Sequence, residues 1–327
     1  MPGITLVGVP SVSKSADYAL NRALSAAGLS LDSVKRETVG PGLAATLAAS
    51  KPSLIVALGQ EAGEFLLADS WPVGEESRDI RGFLWDTRYG RVLTAMKPED
   101  VVKDWTPWRA LMDVDFRRAA AEWHAGCQPL TTRAVTICTS SSDVEELDDT
   151  IRRTRWTAND VDSVVRRTSW VAVDIENHSN LSLACVGFAP TEARAWVIPA
   201  YEAWQVAAIK RLVEDPLVPK VLQNGQYDRA FLRWNSGMNL TNQVFDTQLG
   251  WHALQPELAG KKTATKRRVS QRRTVKSLNF LASIYTRDPF WKQYAFQNEN
   301  DRYVLCGRDC CVTLEIAHKQ ARQLEAV

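Results

Sequence analysis

The chain has 327 residues, enough for two domains of ordinary size and more than one typical core accommodates. Hydrophobic residues make up 45% and charged residues 24%, the profile of a globular protein, and a net charge of +2 leaves any attraction for nucleic acid to local patches. No apolar run approaches the ~18–20 residues that span a bilayer, and the N-terminus lacks the basic, apolar and small-residue pattern of a signal peptide, so a cytoplasmic protein without a membrane partner is expected.

The first part of the chain alternates strands and helices. Ile4–Gly8 reads as a strand ending in a turn, and Ala16–Ala27 as a helix. Ser53–Leu58 is a buried strand stopped by Gly59, followed by Gln60–Leu67 as a helix. Arg91–Ala95 is a further strand and Asp113–Trp123 a further helix. This alternation predicts a small α/β domain with a mainly parallel sheet over residues 1–125. A boundary near Gly126–Thr132 separates it from a second domain, 126–327. There Arg133–Thr139 restarts as a strand and Ser141–Arg153 has one apolar helical face. Trp170–Val173, Leu181–Phe188 and Ala195–Pro199 follow as strands in succession. Tyr201–Val213 is then a helix and Val218–Leu222 a strand, an order that predicts a mixed sheet. The pattern from Gln226 onward is mostly helical. The cysteines form no CxxC pair, which argues against a zinc ribbon or an iron–sulfur cluster and for reduced thiols.

One stretch departs in composition. Gly260–Lys276 carries eight Lys and Arg among 17 residues and no acid. It reads either as a solvated loop or as a clamp on phosphates, with Lys266, Arg267, Arg268, Arg272 and Arg273 as the contacts.

Three segments carry acids in positions that suggest chemistry. In WVAVDIEN, Asp174 and Glu176 lie two residues apart on an apolar strand, so both point to one face. Two such acids disfavour each other's charge, and an oxygen-rich pair of this kind suits Mg²⁺ or Mn²⁺. In VLQNGQYDRAFLRW a strand ends at Asn224 and a helix begins with Asp228, which can point back over the strand ends. Asn224 either caps that helix or positions a nucleotide. In RDCCVTLEIAHK, Asp309 starts an amphipathic helix; alone it would be an N-terminal acid favoured by the dipole.

Taken together, the strand DxE, the NxxxD and the late helical Asp resemble the three motifs of the DEDD exonuclease superfamily, over roughly residues 130–327. FDTQLGWHALQPEL and SLNFLASIYT resemble the helices after the second motif in proofreading domains of family A DNA polymerases, particularly phage ones. The resemblance implies an RNase H-like fold in which Asp174, Glu176, Asp228 and Asp309 are catalytic and bind two divalent ions, Mg²⁺ or Mn²⁺. It implies hydrolysis of single-stranded DNA from 3′ ends, one ion lowering the pKa of the attacking water and the other stabilising the leaving oxygen. It also implies a DNA polymerase as partner, on a separate chain or a C-terminal continuation, in the cytoplasm of a bacterial host if the protein is viral. Asp246 would be a capping or supporting acid.

The match departs from these exonucleases at the water-orienting residue. One class has Tyr four residues before the last Asp and the other His five before; here those positions hold Leu305 and Val304. Tyr303 is six residues upstream, on another helical face. A catalytically weak or silent DNA-binding or polymerase-scaffolding protein is therefore the alternative reading.

Residues 1–125 resemble the uracil-DNA glycosylase superfamily in ITLVGVPS, in PSLIVALG and in the RG before a hairpin, which implies a three-layer α/β domain. Its catalytic groups are missing: Gly8-Val9-Pro10-Ser11 holds no water-activating side chain, and Lys97-Pro98 stands where the family has His-Pro. An inactive domain is expected.

Overall fold

The computed structural model describes residues 3–8, 13–72, 74–103, 105–157, 169–256, 276–292 and 298–326. The chain forms two compact units. The first comprises residues up to Thr131 together with 287–292, and the second holds most of the remainder from Thr132.

The first unit runs β1 (Ile4–Val7), α1 (Lys14–Ala26), β2 (Val34–Glu37), α2 (Leu43–Ser50), β3 (Leu54–Leu58), α3 (Gln60–Leu67), α4 (Ser77–Ile80), β4 (Leu84–Thr87), β5 (Gly90–Ala95), α5 (Pro98–Lys103) and α6 (Trp105–His124). Its sheet has the order β2-β1-β3-β5-β4, parallel except for the β4–β5 hairpin, as the alternation predicts. β3 is buried along its whole length, which is why it reads as an unbroken apolar run. Gly59 ends it at φ +86°, and a Cβ there would press on the Lys97 side chain. β2 and α2 are not evident from the sequence pattern. Buried Arg81 pairs with Asp115 and buried Arg91 with Glu122, which also takes the partly exposed Arg287.

The second unit runs β6 (Ala134–Ile137), α7 (Ser141–Thr157), β7 (Val171–Asn177), β8 (Leu183–Ala189), β9 (Arg194–Pro199), α8 (Ala203–Glu214), β10 (Lys220–Leu222), α9 (Gly225–Ser236), β11 (Gln243–Asp246), α10 (Thr247–Leu254), α11 (Leu278–Tyr285) and α12 (Glu299–Glu325). The sheet order is β11-β10-β7-β8-β9-β6. β7, β8 and β9 are an antiparallel meander, while β10, β11 and β6 join in parallel, so the predicted mixed sheet is present.

The two faces of this sheet bury different kinds of residue. On one face Val171, Val173, Ile175, Val186, Phe188, Trp196 and Ile198 pack with Leu147, Ile209 and Leu212 of α7 and α8 and with Phe231 and Leu232 of α9. On the other face the strands offer Ala172, Ala189, Ala195 and Val221, which pack with Cys310, Cys311, Leu314 and Ala317 of α12. Large residues hold the first layer apart, and small ones let α12 lie close to the backbone of the second. Gly187 sits opposite Asp174 in the β7–β8 register. A Cβ at Gly187 would come within 2.7 Å of Cys310 Sγ and 2.9 Å of Cys306 Sγ. A Cβ at Gly307 would likewise meet Val135 at 2.6 Å.

Candidate functional site

The site is built where β7 faces α12. Asp174 and Glu176 share the parity of Ala172 along β7, so their side chains project to the α12 side. Asp309 reaches them from α12. Carboxylate oxygens of Asp174, Glu176 and Asp309 all lie within 4.8 Å of one another. The expectation that Asp309 begins a helix is corrected: it lies in the middle of α12, whose N-cap is Asn298, with its side chain accepting from Asp301 N at 3.0 Å. The terminal partial charge of a helix acts only over its first turn, so it does not explain Asp309.

Cys306 sits one turn before Cys310 and donates through Sγ to the main-chain oxygen of Asp174 at 3.6 Å. Gly187 leaves room for this contact, which brings the helix backbone down onto the strand beneath Asp309. The acid motifs in the sequence do not single out Cys306, Cys310, Gly187 or Gly307. Their signal is a run of small residues at helical spacing around an Asp, opposite a glycine on a buried strand. All six cysteines are reduced thiols, and five of them are buried.

Asp228 stands outside the closest trio but faces it. It lies in the first turn of α9, is buried, and accepts a hydrogen bond from the backbone N–H of Ile175, between the two β7 acids. Burial pushes Asp228 up to about 7, against the hydrogen bonds it accepts, and the Cys306 sulfur and then the charge of Asp246 add to the rise. Asp174 is held well above the ordinary carboxylate range, chiefly by burial, then by the neighbouring Cys306 sulfur and the negative charges of Asp309, Asp228 and Glu176.

Asp246 is the supporting acid expected. One of its oxygens accepts from Asn224 N at 3.1 Å and from Gln248 N at 2.9 Å; the other accepts from Gly225 N at 2.8 Å. It therefore caps α10 and fixes the entry to α9 with one carboxylate. Asn224 precedes α9 in the left-handed region at φ 61° and makes no side-chain cap, so the capping reading of its side chain is not met. The residue is exposed, four positions before Asp228.

A polar rim surrounds the open edge. Tyr227 donates to Asn177 Oδ1 at 3.1 Å, and Arg302 of α12 donates to Asn177 O at 3.2 Å and meets His178 Nδ1 at 2.9 Å. Leu305 lies one turn before Asp309 and is half-buried; Val304 is exposed. Tyr303 is buried and its hydroxyl meets that of Tyr201 at 2.9 Å, on another face of α12. Phe231 and Trp251 are core residues, while Tyr227 is half exposed. Lys266, Arg267, Arg268, Arg272 and Arg273 lie outside the described residues.

A meander flanked by parallel strands and crossed by a long helix is consistent with an RNase H-like exonuclease fold. The 3′–5′ exonuclease family model matches residues 150–325, more than half of the chain, and the chain belongs to that family. No curated protein matches at a significant level. Similar solved structures include Brucella melitensis NrnC with bound Mg²⁺, at 16% identity and TM-score 0.36, covering 60% of this chain and 83% of that one. They also include Escherichia coli RNase D, an exoribonuclease involved in structured RNA processing, at 16% identity and TM-score 0.38, covering 59% and 45%. The Aedes aegypti Nibbler EXO domain matches at 17% identity and TM-score 0.36, covering 60% and 94%. Among the described residues, no helix is long and apolar enough to cross a membrane.

Proposed function

We propose that the second unit hydrolyses single-stranded nucleic acid from its 3′ end, using divalent metal held by Asp174, Glu176, Asp228 and Asp309. The observation that carries this reading is the convergence of three carboxylates from a strand and a distant helix within 4.8 Å. The donor set fits a hard divalent cation such as Mg²⁺ or Mn²⁺, because it offers oxygen ligands only and its acids are crowded together against mutual repulsion. When bound, two such ions supply Lewis-acid stabilisation of the phosphodiester and an activated water.

The chain's own residues divide the remaining tasks. Asp246 sets the position of Asp228 through the start of α9. Tyr227 bonds Asn177, the residue after Glu176, and it and the exposed Asn224 would contact a terminal nucleotide. Leu305 offers no hydrogen bond to the attacking water, so turnover is expected to be slow for want of that group. We further propose DNA as the substrate, proofreading beside a DNA polymerase in a phage replication system as the setting, and an inactive glycosylase-like unit over residues 1–125. The basic stretch 260–276 would add phosphate contacts between the second and third motifs.

The test is digestion of 5′-labelled single-stranded DNA and RNA in Mg²⁺ and in Mn²⁺, with EDTA as control. A ladder shortening from the 3′ end is expected, stronger on DNA, and lost in Asp174→Ala. Activity that survives Asp174→Ala sinks the site assignment, and preference for RNA sinks the proofreading setting. The second reading, a silent binding module, is favoured by Leu305 and requires strand binding with no digestion in either metal.

A further inference from the structure

Outside the carboxylate cluster, one exposed feature of the second unit has no role in hydrolysis itself. Trp234 on α9 is 79% exposed, the most exposed large hydrophobic side chain among the described residues. Arg233 places its guanidinium over that ring, 5.9 Å from the centroid. An indole left in water by its own fold, with a cation beside it, is a surface suited to an aromatic and anionic ligand.

The helix links this surface to the site. Tyr227 and Trp234 are seven residues apart and fall on nearly one line along α9, with Ala230 between them. All three are exposed, and Ala230 between the two rings carries only a methyl group. From Asp228 to Trp234 the helix rises about 9 Å, the span of two or three stacked nucleotides at ~3.4 Å each. The charge agrees with a polyanion. Residues 229–245 contain Arg229 and Arg233 and no Asp or Glu, and both arginines are exposed. Glu214, which meets the turn after α9, is held by Lys210 at 2.7 Å and by the backbone N–H of Asn239 at 2.9 Å.

We propose that the outer face of α9 is the upstream track for the single strand, with Trp234 stacking on a base two or three nucleotides from the 3′ end and Arg233 and Arg229 facing its phosphates. The inference rests on the exonuclease reading only for which end of the strand lies at Asp228. Stacking on an aromatic face is tolerant of base identity, so the track serves any sequence.

The test uses the whole chain and a 5′-fluorescein-labelled dodecamer of single-stranded DNA, bound in EDTA so that nothing is cleaved. Anisotropy titrations compare wild type, Trp234→Ala, Trp234→Phe and Arg233→Gln. Trp234→Ala should weaken binding roughly 5- to 10-fold, the low end for loss of one stacked base, and Trp234→Phe should restore most of it. Arg233→Gln should weaken binding and reduce its salt dependence. A companion assay in Mg²⁺ reads hydrolysis: Trp234→Ala should raise KM for the dodecamer and leave a dinucleotide, too short to reach Trp234, cleaved as by wild type. Equal dodecamer affinity for wild type and Trp234→Ala overturns the track. So does a change of oligomeric state in Trp234→Ala without a change in DNA affinity, which would assign the face to a second copy of the chain. Absence of hydrolysis with the affinity difference intact removes the exonuclease reading and leaves the track standing.

Discussion

At Asp174, burial, the Cys306 sulfur and three neighbouring acids act together against ionisation. Neutralising it should therefore help the metal-free fold while disabling the site. In EDTA, Asp174→Asn should raise Tm by several degrees, since each kcal/mol moves the midpoint of a domain this size by about 2–4 °C. Added Mg²⁺ should raise the wild-type Tm and leave the variant unmoved. A variant that melts lower than wild type in EDTA would show that the carboxylate is a structural hydrogen-bond acceptor. Leu305 is the residue where chemistry is missing. Leu305→Tyr should raise kcat on single-stranded DNA by at least about tenfold, with the ~10²–10⁴-fold that a positioned proton-transfer group supplies as the upper bound. If kcat is unchanged and the wild type is already fast, another group orients the water. Lys220 gives a pH signature away from the site. It is fully buried, donates to the carbonyls of Asp215 at 2.7 Å and Val218 at 3.0 Å, and burial lowers it from 10.5 to about 8. Between those values the unfolded chain binds the proton and the folded one releases it, so stability contributed by this group rises with pH across about 8 to 10.5. The gain is on the order of 3 kcal/mol, at ~1.4 kcal/mol per pH unit. Urea unfolding of wild type and Lys220→Met over that window should show the rise in wild type alone, and parallel curves would refute it.

At the scale of elements, the packing of β8 against α12 decides whether the acids meet. Gly187→Ala places a methyl within 2.7 Å of Cys310 Sγ, and the neighbour is a packed helix rather than a loose side-chain end. A cost of about 1–3 kcal/mol is expected from overpacking, with a larger fractional loss of activity, because α12 carries Asp309. Pairing it with Cys310→Ala should return part of that stability, and strict additivity of the two changes would contradict the steric clash. The same elements explain how much of the site is legible in the sequence. Asp174 and Glu176 stand out because a period of two places both on one face of an apolar strand. Asp228 stands out because a short buried strand, β10, stops just before its helix. The middle position of Asp309 is not legible, since RDCCVTLEIAHK has the same apolar spacing whether a helix begins there or passes through. The cap that settles it, Asn298, lies three turns upstream in a polar stretch. β2 escapes notice because its VKRE sequence lies at a sheet edge with only Val34 buried, and α2 because LAATLAAS has few large residues to set a period.

At the scale of the whole molecule, the charge distribution decides how a nucleic acid is attracted. A net charge of +2 provides little long-range steering, so attraction of a polyanion must come from local runs of cations such as the sequence carries at 260–276. Replacing Lys266, Arg267, Arg268, Arg272 and Arg273 by Gln should flatten the dependence of log affinity on log salt, by ~0.7 for each phosphate of a single strand that is no longer neutralised. Unchanged affinity and slope would make the stretch a spectator. The mixed topology of the second unit follows from the run of three strands, because consecutive strands joined by short turns pair antiparallel. The alternating first unit is legible for the opposite reason: α1 and α2 return the chain to the same end of the sheet, so β1, β2 and β3 run parallel. The return of residues 287–292 to the first unit is not, since their local sequence carries no sign of which core receives Phe290 and Trp291; both pack on Phe83.

The unequal faces of the second sheet have a consequence for how this domain can vary. Along β7, β8 and β9, alternate residues lie under α12, where a methyl at Gly187 would already crowd sulfur, while their neighbours lie in a deep layer of larger hydrophobic side chains. A library of all single substitutions, sorted by survival of folding, should therefore beat with a two-residue rhythm across the three strands. The intolerant beat would fall on Ala172, Gly187, Ala189 and Ala195, positions without catalytic chemistry. Variation that enlarges them would separate the acids before it unfolded the domain.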